Sequence, residues 1–237
     1  MCEFRPVFSL AHHGVLHHAP SEHHQRHRHR ASFIAVVLRG SYVEAGDAGL
    51  LSAGEGDIVI HSNFEAHLNR AGPRGAHVLL LPSDVSAPKF GVSQAIDEIV
   101  RLATKDVQSA AQLAETTLVE SPSRPPADWP EQLARDILRD PQLSLRAWAR
   151  ATGLQSETVS RGFRRVFGCP PSRYRASVRA HAAWRSVRTT VVPLKTIAAE
   201  HGYADQAHFS KSIARLTGRA PGRWRLADAE RALLEVN

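Results

Sequence analysis

The chain has 237 residues, of which 43 % are hydrophobic and 22 % are charged, and its formal net charge is +7. This composition is typical of a soluble globular protein with one large domain or two ordinary ones. No run of 18 apolar residues is present, which excludes a membrane-spanning helix. The first residues, MCEFRPVFSLAHHG, lack the apolar core of a secretion signal. Two distant cysteines, Cys2 and Cys169, argue against a disulfide framework, so we expect a cytoplasmic protein.

The charge is distributed unevenly along the chain. Residues 1–129 carry 11 Lys and Arg against 14 Asp and Glu, a net charge of −3. Residues 130–237 carry 19 against 9, a net charge of +10. A basic half beside a mildly acidic half indicates that one domain meets a polyanion and the other does not. An uneven solvated surface is the alternative on charge alone.

Residues 30–82 have the pattern of β-strands. Three short apolar runs, FIAVVL (33–38), GDIVI (56–60) and AHVLLL (76–81), are rich in β-branched residues. The stretches around them, RGSYVEAGDAG, HSNFEAHLNRAGPRG and PSD, are full of turn residues. Strands at this spacing, with no helices between them, predict a sandwich or a small barrel.

The next segment is predicted to be helical. Apolar residues recur at helical spacing from Ser93 to Val119, with a break near Thr104–Asp106. Such a segment can form a dimer interface or pack on its own N-terminal domain, and the sequence leaves both open. The stretch SPSRPPADWP (121–130) holds four prolines and is predicted to be a linker. The expected divisions are an N-terminal domain at 1–90, a helical linker and dimerisation segment at 91–128, and a C-terminal domain at 129–237.

The basic half contains an internal repeat. The segment LRAWARATGLQSETVSRGFRRVFGCPPSRYR (145–175) aligns with LKTIAAEHGYADQAHFSKSIARLTGRAPGRWR (194–225). Leu145 and Gly153 match residues 49 positions later, whereas Arg161, Gly168 and Arg175 match residues 50 positions later. A duplicated structural unit with one residue inserted after the first helix of the second copy is therefore expected.

Each copy predicts a helix-turn-helix. A short helix (145–152 or 194–201) ends at Gly153 or Gly202, which can adopt the left-handed conformation past a helix end. A second helix then opens at a capping-type residue, Ser156 or Asp205. In this motif the second helix enters the major groove of DNA, and two such helices can reach successive grooves about 34 Å apart.

Residues 131–225 resemble the DNA-binding domain of the AraC/XylS family of bacterial transcription regulators. The second copy carries the matching pattern, with Ile197–Ala198, Gly202–Tyr203, Phe209 and Gly218 in the family's places, together with Pro221 and Arg225. Lys211, Ile213 and Trp224 replace the family's usual Arg, Phe and Tyr, which affects base preference more than fold.

The resemblance implies which side chains meet DNA. Residues expected to face bases or nearby phosphates are Glu157, Ser160 and Arg161 in the first copy and Gln206, His208, Ser210 and Lys211 in the second. Arg can bind guanine with two hydrogen bonds and Gln can bind adenine, whereas Lys211 is expected to act as a point charge. Phosphate contacts are expected from Arg164, Arg165, Arg173 and Arg215.

Eleven of the 14 histidines lie within the first 77 residues. The N-terminal domain resembles a cupin barrel, because His27-Arg28-His29 precedes a strand and Gly40, and Gly56-Asp57 precedes His67 and Asn69. The carboxylate that the cupin pattern places shortly after the first histidines is missing between Arg30 and Val37.

His27 and His29 point the same way on a strand, so His67 from a neighbouring strand can complete a three-histidine set. Such a set suits zinc or another divalent metal, with His61 and His77 as further candidates. A polar effector pocket without metal and merely exposed histidines are the alternatives, so no cofactor is certain. The paired histidines at 12–13, 17–18 and 23–24 are expected to form a polar lead-in or loop.

The expected fold class is α+β in two domains, with an N-terminal all-β cupin-like barrel, a helical linker and a C-terminal all-α domain of two helix-turn-helix units. The expected function is sequence-specific transcription regulation, in which the N-terminal domain senses a small-molecule effector or a metal. The resemblance implies promoter DNA and RNA polymerase as partners. The helical segment allows a homodimer, and the missing carboxylate argues against enzyme activity. A metal-dependent cupin enzyme fused to a DNA-binding domain is the alternative. A non-specific nucleoid protein, which would show little preference between promoter and random DNA, is a third.

Overall fold

The computed structural model describes residues 14–85, 87–121 and 128–226, and the chain divides into two compact units near Glu131. Within the described part of the chain, no helix has both the length and the apolar character needed to cross a membrane. The N-terminal unit is a β-structure with two helices, and the C-terminal unit is entirely helical. The predicted fold class is therefore confirmed.

The N-terminal unit contains eight described strands in one antiparallel sheet. Their bounds are β1 Gly14–His18, β2 His23–Arg28, β3 Phe33–Gly46, β4 Gly49–Gly54, β5 Asp57–His61, β6 Ala66–Pro82, β7 Lys89–Val92 and β8 Val119–Glu120. The order is β1-β6-β3-β5-β7-β8, with β2 added to β6 and β4 added to β3. The long strands β3 and β6 pair with each other from Phe33 opposite Pro82 to Gly46 opposite His67.

The two long strands correct the prediction that these stretches are turns. β3 continues through YVEAG, and β6 begins ten residues before the apolar run at 76–81. Their pairing is irregular between Val37 and Arg39 and again between Gly40 and Tyr42. Gly40 has φ +77°, and a Cβ there would lie 2.1 Å from the Gly75 carbonyl oxygen. The glycines that suggested turns therefore serve bulges that bend continuous strands.

The sheet has two apolar faces. One face packs Phe33, Ala35 and Val37 with Tyr42 and other residues of the long strands. The opposite face packs Ile34, Val36, Ile58, Ile60, Leu79 and Leu81 against two helices. This alternation follows from the period of two in a strand, which sends neighbouring side chains to opposite faces.

Helix α1 spans Ile96–Ala103 and helix α2 spans Val107–Thr116. The break between them at residues 104–106 is where the sequence predicted it. Asp106 caps α2 by accepting hydrogen bonds from the backbone nitrogens of Gln108 and Ser109. Both helices pack on their own sheet, with Ile99 and Ala110 fully buried. The sequence left open whether this segment forms a dimer interface or packs on its own N-terminal domain, and the structure shows the packing. A dimer through this segment stays a prediction.

Six described helices form the C-terminal unit: α3 Trp129–Arg139, α4 Leu145–Ala151, α5 Ser156–Phe167, α6 Pro171–Thr189, α7 Leu194–Glu200 and α8 Gln206–Thr217. Residues 221–226 are also helical. Gly153 and Gly202 have φ of +69° and +67°, as predicted for left-handed helix ends. Two details differ from expectation. Ser156 is the first residue of α5 and not the residue before it, and α3 begins inside the stretch predicted as a linker, of which residues 122–127 lie outside the described part.

Candidate functional site

A cluster of buried histidines lies where β2, β3, β5 and β6 meet. His27, His29, His61 and His67 are between 2 % and 9 % exposed. His27, His29 and His67 each offer a ring nitrogen, and these atoms all lie within 4.8 Å of one another. The Nε2 atoms of His29 and His67 are 3.1 Å apart. The structure thus brings together the three residues that the sequence proposed as ligands, whereas metal binding stays a prediction.

Register explains how the histidines converge. His27 lies opposite His67 in the pairing of β2 with β6, so both rings point to the same face. Their ring centroids are 4.7 Å apart. On the other side of β6, His67 lies opposite Gly46 of β3, where a Cβ would come within 3.0 Å of the His67 Cβ. A glycine at this position therefore leaves room for the imidazole.

A buried carboxylate that the sequence analysis missed completes the cluster. Glu44 of β3 is 2 % exposed, and its two oxygens lie 3.4 Å from His67 Nδ1 and 3.6 Å from His61 Nε2. Glu44, His61 and His67 form a second set of ligand atoms within 4.8 Å of one another. The motif places its carboxylate soon after the first histidines, but here it comes from further along β3. On β3 the side chains of Tyr42 and Glu44 are buried and that of Val43 is exposed, so the carboxylate points inward. The sequence alone carries no such signal, because the stretch has the composition of a turn.

The two further candidate ligands, His61 and His77, lie in different parts of the sheet. His61 joins the cluster and stacks on Phe33 with ring centroids 4.4 Å apart. His77 instead pairs with His17 on β1, with centroids at 4.4 Å. The histidine pairs were expected in a polar lead-in or a loop, and the loop is wrong for residues 17–18 and 23–24, which lie on β1 and β2. The pair at 12–13 lies outside the described residues.

Burial controls protonation in the cluster. Burial lowers the pKa of His67 to about 3, and the Arg26 guanidinium acts in the same direction. Burial also lowers the pKa of His61 to about 4, although the Glu44 carboxylate opposes this shift. The imidazoles of His61 and His67 are therefore neutral near pH 7, which is the state in which histidine binds metals. Burial raises the pKa of Glu65 to about 8, and the charge of Glu44 adds to the effect.

The first helix-turn-helix unit of the C-terminal half packs α5 through one face. Val159, Phe163 and Phe167 are buried, and the Phe163 ring lies edge-on to Tyr174 of α6 with centroids 5.2 Å apart. Trp148 of α4 is also buried, and its indole nitrogen donates to Asp136 Oδ2 of α3 at 2.9 Å. These contacts fix the orientation of α5 and decide which of its faces stays outside.

The second unit is built in the same way. Asp205 accepts a hydrogen bond from the His208 backbone nitrogen at 2.7 Å and so caps α8, as predicted. Phe209 and Ile213 are fully buried. Helix α8 begins four residues after Gly202, whereas α5 begins three residues after Gly153. The predicted inserted residue therefore lies in the turn and leaves the helix unchanged.

The residues predicted to meet DNA lie on the outer faces of these helices. Two of them are half-buried, Ser160 and Ser210, and nine are exposed: Glu157, Arg161, Arg164, Arg165, Arg173, Gln206, His208, Lys211 and Arg215. All but Arg173, which lies in the first turn of α6, belong to α5 or α8. The exposure is what a DNA-reading surface requires, whereas the contact of each residue with a base or a phosphate stays a prediction.

The model of a helix-turn-helix domain matches residues 148–227, which include the second unit and all but the first three residues of the first. This region is an AraC-type helix-turn-helix domain. The chain is accordingly a DNA-binding transcription regulator.

Several solved structures are similar to parts or most of the chain. Fatty-acid-bound ToxT from Vibrio cholerae aligns at 11 % identity and a TM-score of 0.41, covering 89 % of this chain and 93 % of that one. The C-terminal domain of AraT, a response regulator from Geobacillus stearothermophilus, aligns at 21 % identity and 0.41, covering 44 % and 88 %. A probable AraC family regulator from Rhodopseudomonas palustris aligns at 19 % and 0.38, covering 41 % and 94 %. No curated protein sequence matches the chain.

Within the AraC-type domain, helix α6 links the two units. Its buried residues include Tyr174, Val178, Trp184 and Val187. The Arg179 guanidinium lies 4.7 Å from the centre of the Tyr203 ring, and Ser186 Oγ lies 2.9 Å from Nε2 of His201, the residue after α7. The connecting helix is thus held by packing, by a cation–π contact and by a polar contact to the second unit.

Proposed function

We propose that this regulator reads a specific promoter sequence and that its N-terminal domain controls the reading by binding a divalent metal or a small organic effector. The observation that carries the proposal is the buried cluster of His27, His29, His67 and Glu44 in the same chain as two exposed DNA-reading helices. Buried polar groups of this density are costly unless a ligand or a close partner satisfies them.

The donor set fits a transition metal. Neutral imidazoles and one carboxylate suit zinc and its neighbours, whereas calcium and magnesium prefer oxygen donors only. His27, His29 and His67 would hold the ion, and Glu44 either binds it or orients His67 through Nδ1 at 3.4 Å. The metal would supply a Lewis-acidic centre with a position open to an effector. The protein would exclude water through the surrounding buried side chains.

An organic effector has a second place to bind. A cleft of about 890 Å³ lies beside α2, within the volume range of small-molecule sites. Leu80, Leu81 and Ala111 give it an apolar floor, and Ser32, Asn63, Gln112 and Glu115 supply polar groups. Of the described residues that line it, two are acidic and none is basic. The cleft therefore favours a neutral or cationic molecule over a carboxylate.

The coupling would act through population shift. A ligand that binds one arrangement of the N-terminal domain more tightly than another changes the population of the DNA-binding form. We further propose that the regulator works in the cytoplasm, because the promoter DNA is there, and that it acts as a homodimer and through RNA polymerase.

The experiment is metal analysis of untagged full-length protein, purified without chelator, followed by DNA binding. Wild-type protein is expected to hold metal that the His67→Ala variant has lost. Binding to a promoter selected from random sequences is expected to change when the metal is removed. Equal metal content in both proteins would overturn the metal site. Equal affinity for selected and random DNA would overturn specific reading.

A metal-dependent enzyme joined to the AraC-type domain is the second candidate. Glu44 favours an enzyme, because it places beside His67 the carboxylate that the cupin pattern lacks between Arg30 and Val37. Turnover discriminates the two functions. A regulator binds its effector and releases it unchanged, whereas an enzyme consumes it at a rate that depends on the metal.

A further inference from the structure

A second group of metal-type donors lies near the start of the sheet, outside the buried cluster. It consists of His18 at the end of β1, Glu22 in the following turn and His24 on β2. Each residue offers one ligand atom, and these atoms all lie within 4.8 Å of one another. None of the three belongs to the ligand set expected from the sequence.

The backbone places these side chains without help from a ligand. β1 and β2 both pair with β6, with His18 opposite Ala76 and His24 opposite Asn69. The turn between them is tied to β6, because Ser21 N donates to Gly72 O at 3.0 Å and Ala71 N donates to Glu22 O at 2.9 Å. A hydrogen bond from Ala19 N to Glu22 Oε2 at 2.8 Å fixes the carboxylate. The three donors are therefore preorganised.

The distances between donors match those around a tetrahedral ion. His18 Nδ1 lies 3.1 Å from His24 Nε2, His24 Nε2 lies 3.2 Å from Glu22 Oε1, and His18 Nδ1 lies 3.8 Å from Glu22 Oε2. Ligands on a tetrahedral zinc with bonds of about 2.0–2.1 Å are separated by about 3.3 Å. An ion can therefore bind with only small movements of the side chains.

Accessibility separates this group from the buried cluster. The His18, His24 and Glu22 side chains are 17 %, 28 % and 37 % exposed. An ion held here keeps at least one position open to water, as in zinc sites with three protein ligands. Two imidazoles and one carboxylate also carry a net negative charge when the rings are neutral, which favours a divalent cation of the zinc, copper or nickel class.

We propose that His18, Glu22 and His24 form a second, solvent-accessible transition-metal site. The site is independent of the metal proposed for His27, His29 and His67. Filling it would connect the end of β1 to β2 through the ion.

The test is a zinc titration of full-length protein stripped with chelator, with cobalt as a spectroscopic substitute. The background is the His27→Ala/His29→Ala/His67→Ala variant, which removes the buried ligands. Zinc binding in that background is expected to persist, with four-coordinate cobalt absorption. Adding His18→Ala/His24→Ala is expected to abolish it. Glu22→Gln, which keeps the size of the side chain, is expected to weaken it by at least about tenfold, the loss that even an outer-shell partner can cause.

The matched controls are His17→Ala and His23→Ala, which alter the immediate neighbours of the proposed ligands. His23 and His24 point to opposite faces of β2, as His17 and His18 do on β1. Both controls are expected to bind zinc as the background does. Zinc binding that survives His18→Ala/His24→Ala, or that both controls abolish equally, would overturn the proposal and leave a hydrogen-bonded surface network. Loss of zinc in the background itself would also overturn it, whereas failure of the buried site alone would leave it intact.

Discussion

Arg225 donates a hydrogen bond through Nη2 to the carbonyl oxygen of Val192 at 2.8 Å. The equivalent residue of the first unit, Arg175, donates through Nη1 to the carbonyl oxygen of Leu143. Each acceptor lies two residues before the first helix of its own unit. The repeat thus preserves a bond that joins the end of a unit to its beginning.

Replacing Arg225 with Ala is expected to lower the free energy of unfolding of the C-terminal unit by about 1.5–3 kcal/mol, because a charge-assisted hydrogen bond is lost and a half-buried carbonyl loses its donor. Chemical denaturation measures the change. Arg223→Ala alters an exposed arginine two residues away and is expected to cost less than about 0.5 kcal/mol. Equal losses in the two variants would contradict a specific role for the bond.

Arg161 and Arg164 are both exposed on α5, but we expect different effects on DNA binding. Arg161→Ala is expected to relax preference at one base pair, at a cost of about 1–3 kcal/mol for the preferred base. Arg164→Ala is expected to weaken binding to all sequences alike and to reduce the salt dependence by about one phosphate contact. Binding to a library of single-base operator variants at two salt concentrations distinguishes them. A uniform loss for Arg161→Ala would reassign it to a phosphate.

The raised pKa of Glu65 predicts a pH dependence of the N-terminal unit. The carboxyl stays protonated in the folded chain up to about pH 8, whereas it ionises above its ordinary value of 4.5 in the unfolded chain. Its contribution to stability is therefore complete below pH 4.5 and is lost as the pH rises towards 8.

Glu65→Gln removes this titration. Relative to that variant, the wild type is expected to lose about 1.4 kcal/mol of unfolding free energy per pH unit between about pH 5 and pH 8. Unfolding in urea with chelator present measures the difference. Glu55→Gln, at an exposed position, provides the control and should follow the wild type at every pH. A constant offset between Glu65→Gln and wild type would show that Glu65 is ionised in the folded chain.

Ile99 tests the packing of the helical segment. It is fully buried on the sheet, so Ile99→Ala is expected to lower the unfolding free energy of the N-terminal unit by about 2–5 kcal/mol. The loss is expected to be the same at low and high protein concentration, because the contact lies within one chain. Arg101→Ala, which breaks an exposed ion pair on the same helix, is expected to cost at most about 1 kcal/mol. A loss that grows on dilution would instead place Ile99 in a dimer interface.

The helical half could be predicted from the sequence because its signals are local. The glycine at each helix end, the apolar spacing and the inserted residue all lie within short windows. The structure reproduces them within one or two residues. The place of Ser156 differs because capping depends on the backbone conformation of one residue, which composition does not determine.

The sheet was harder to predict because its decisive contacts are distant in sequence. Glu44 meets His67 only because β3 pairs with β6, with Glu44 opposite Asn69 and Gly46 opposite His67. The glycine-rich stretches have the composition of turns, and only the pairing of strands shows that Gly40 serves a bulge. His27, His29 and His67 could be found because alternate residues of an extended chain share a face, although His29 lies one residue beyond the end of β2.

The two DNA-reading helices have the same length, and the repeat aligns them position by position. α5 and α8 are each 12 residues long, and Arg161 and Lys211 are both the sixth residue, because the inserted residue lies in the turn. Matching positions thus present different side chains: Glu157 corresponds to Ala207, and Arg161 to Lys211. A single chain therefore binds its DNA site in one direction only. If the DNA segment bound by one chain were inverted at the same place in the promoter, the bound chain would be inverted too. The end of the chain that had faced away from the transcription start would then face it.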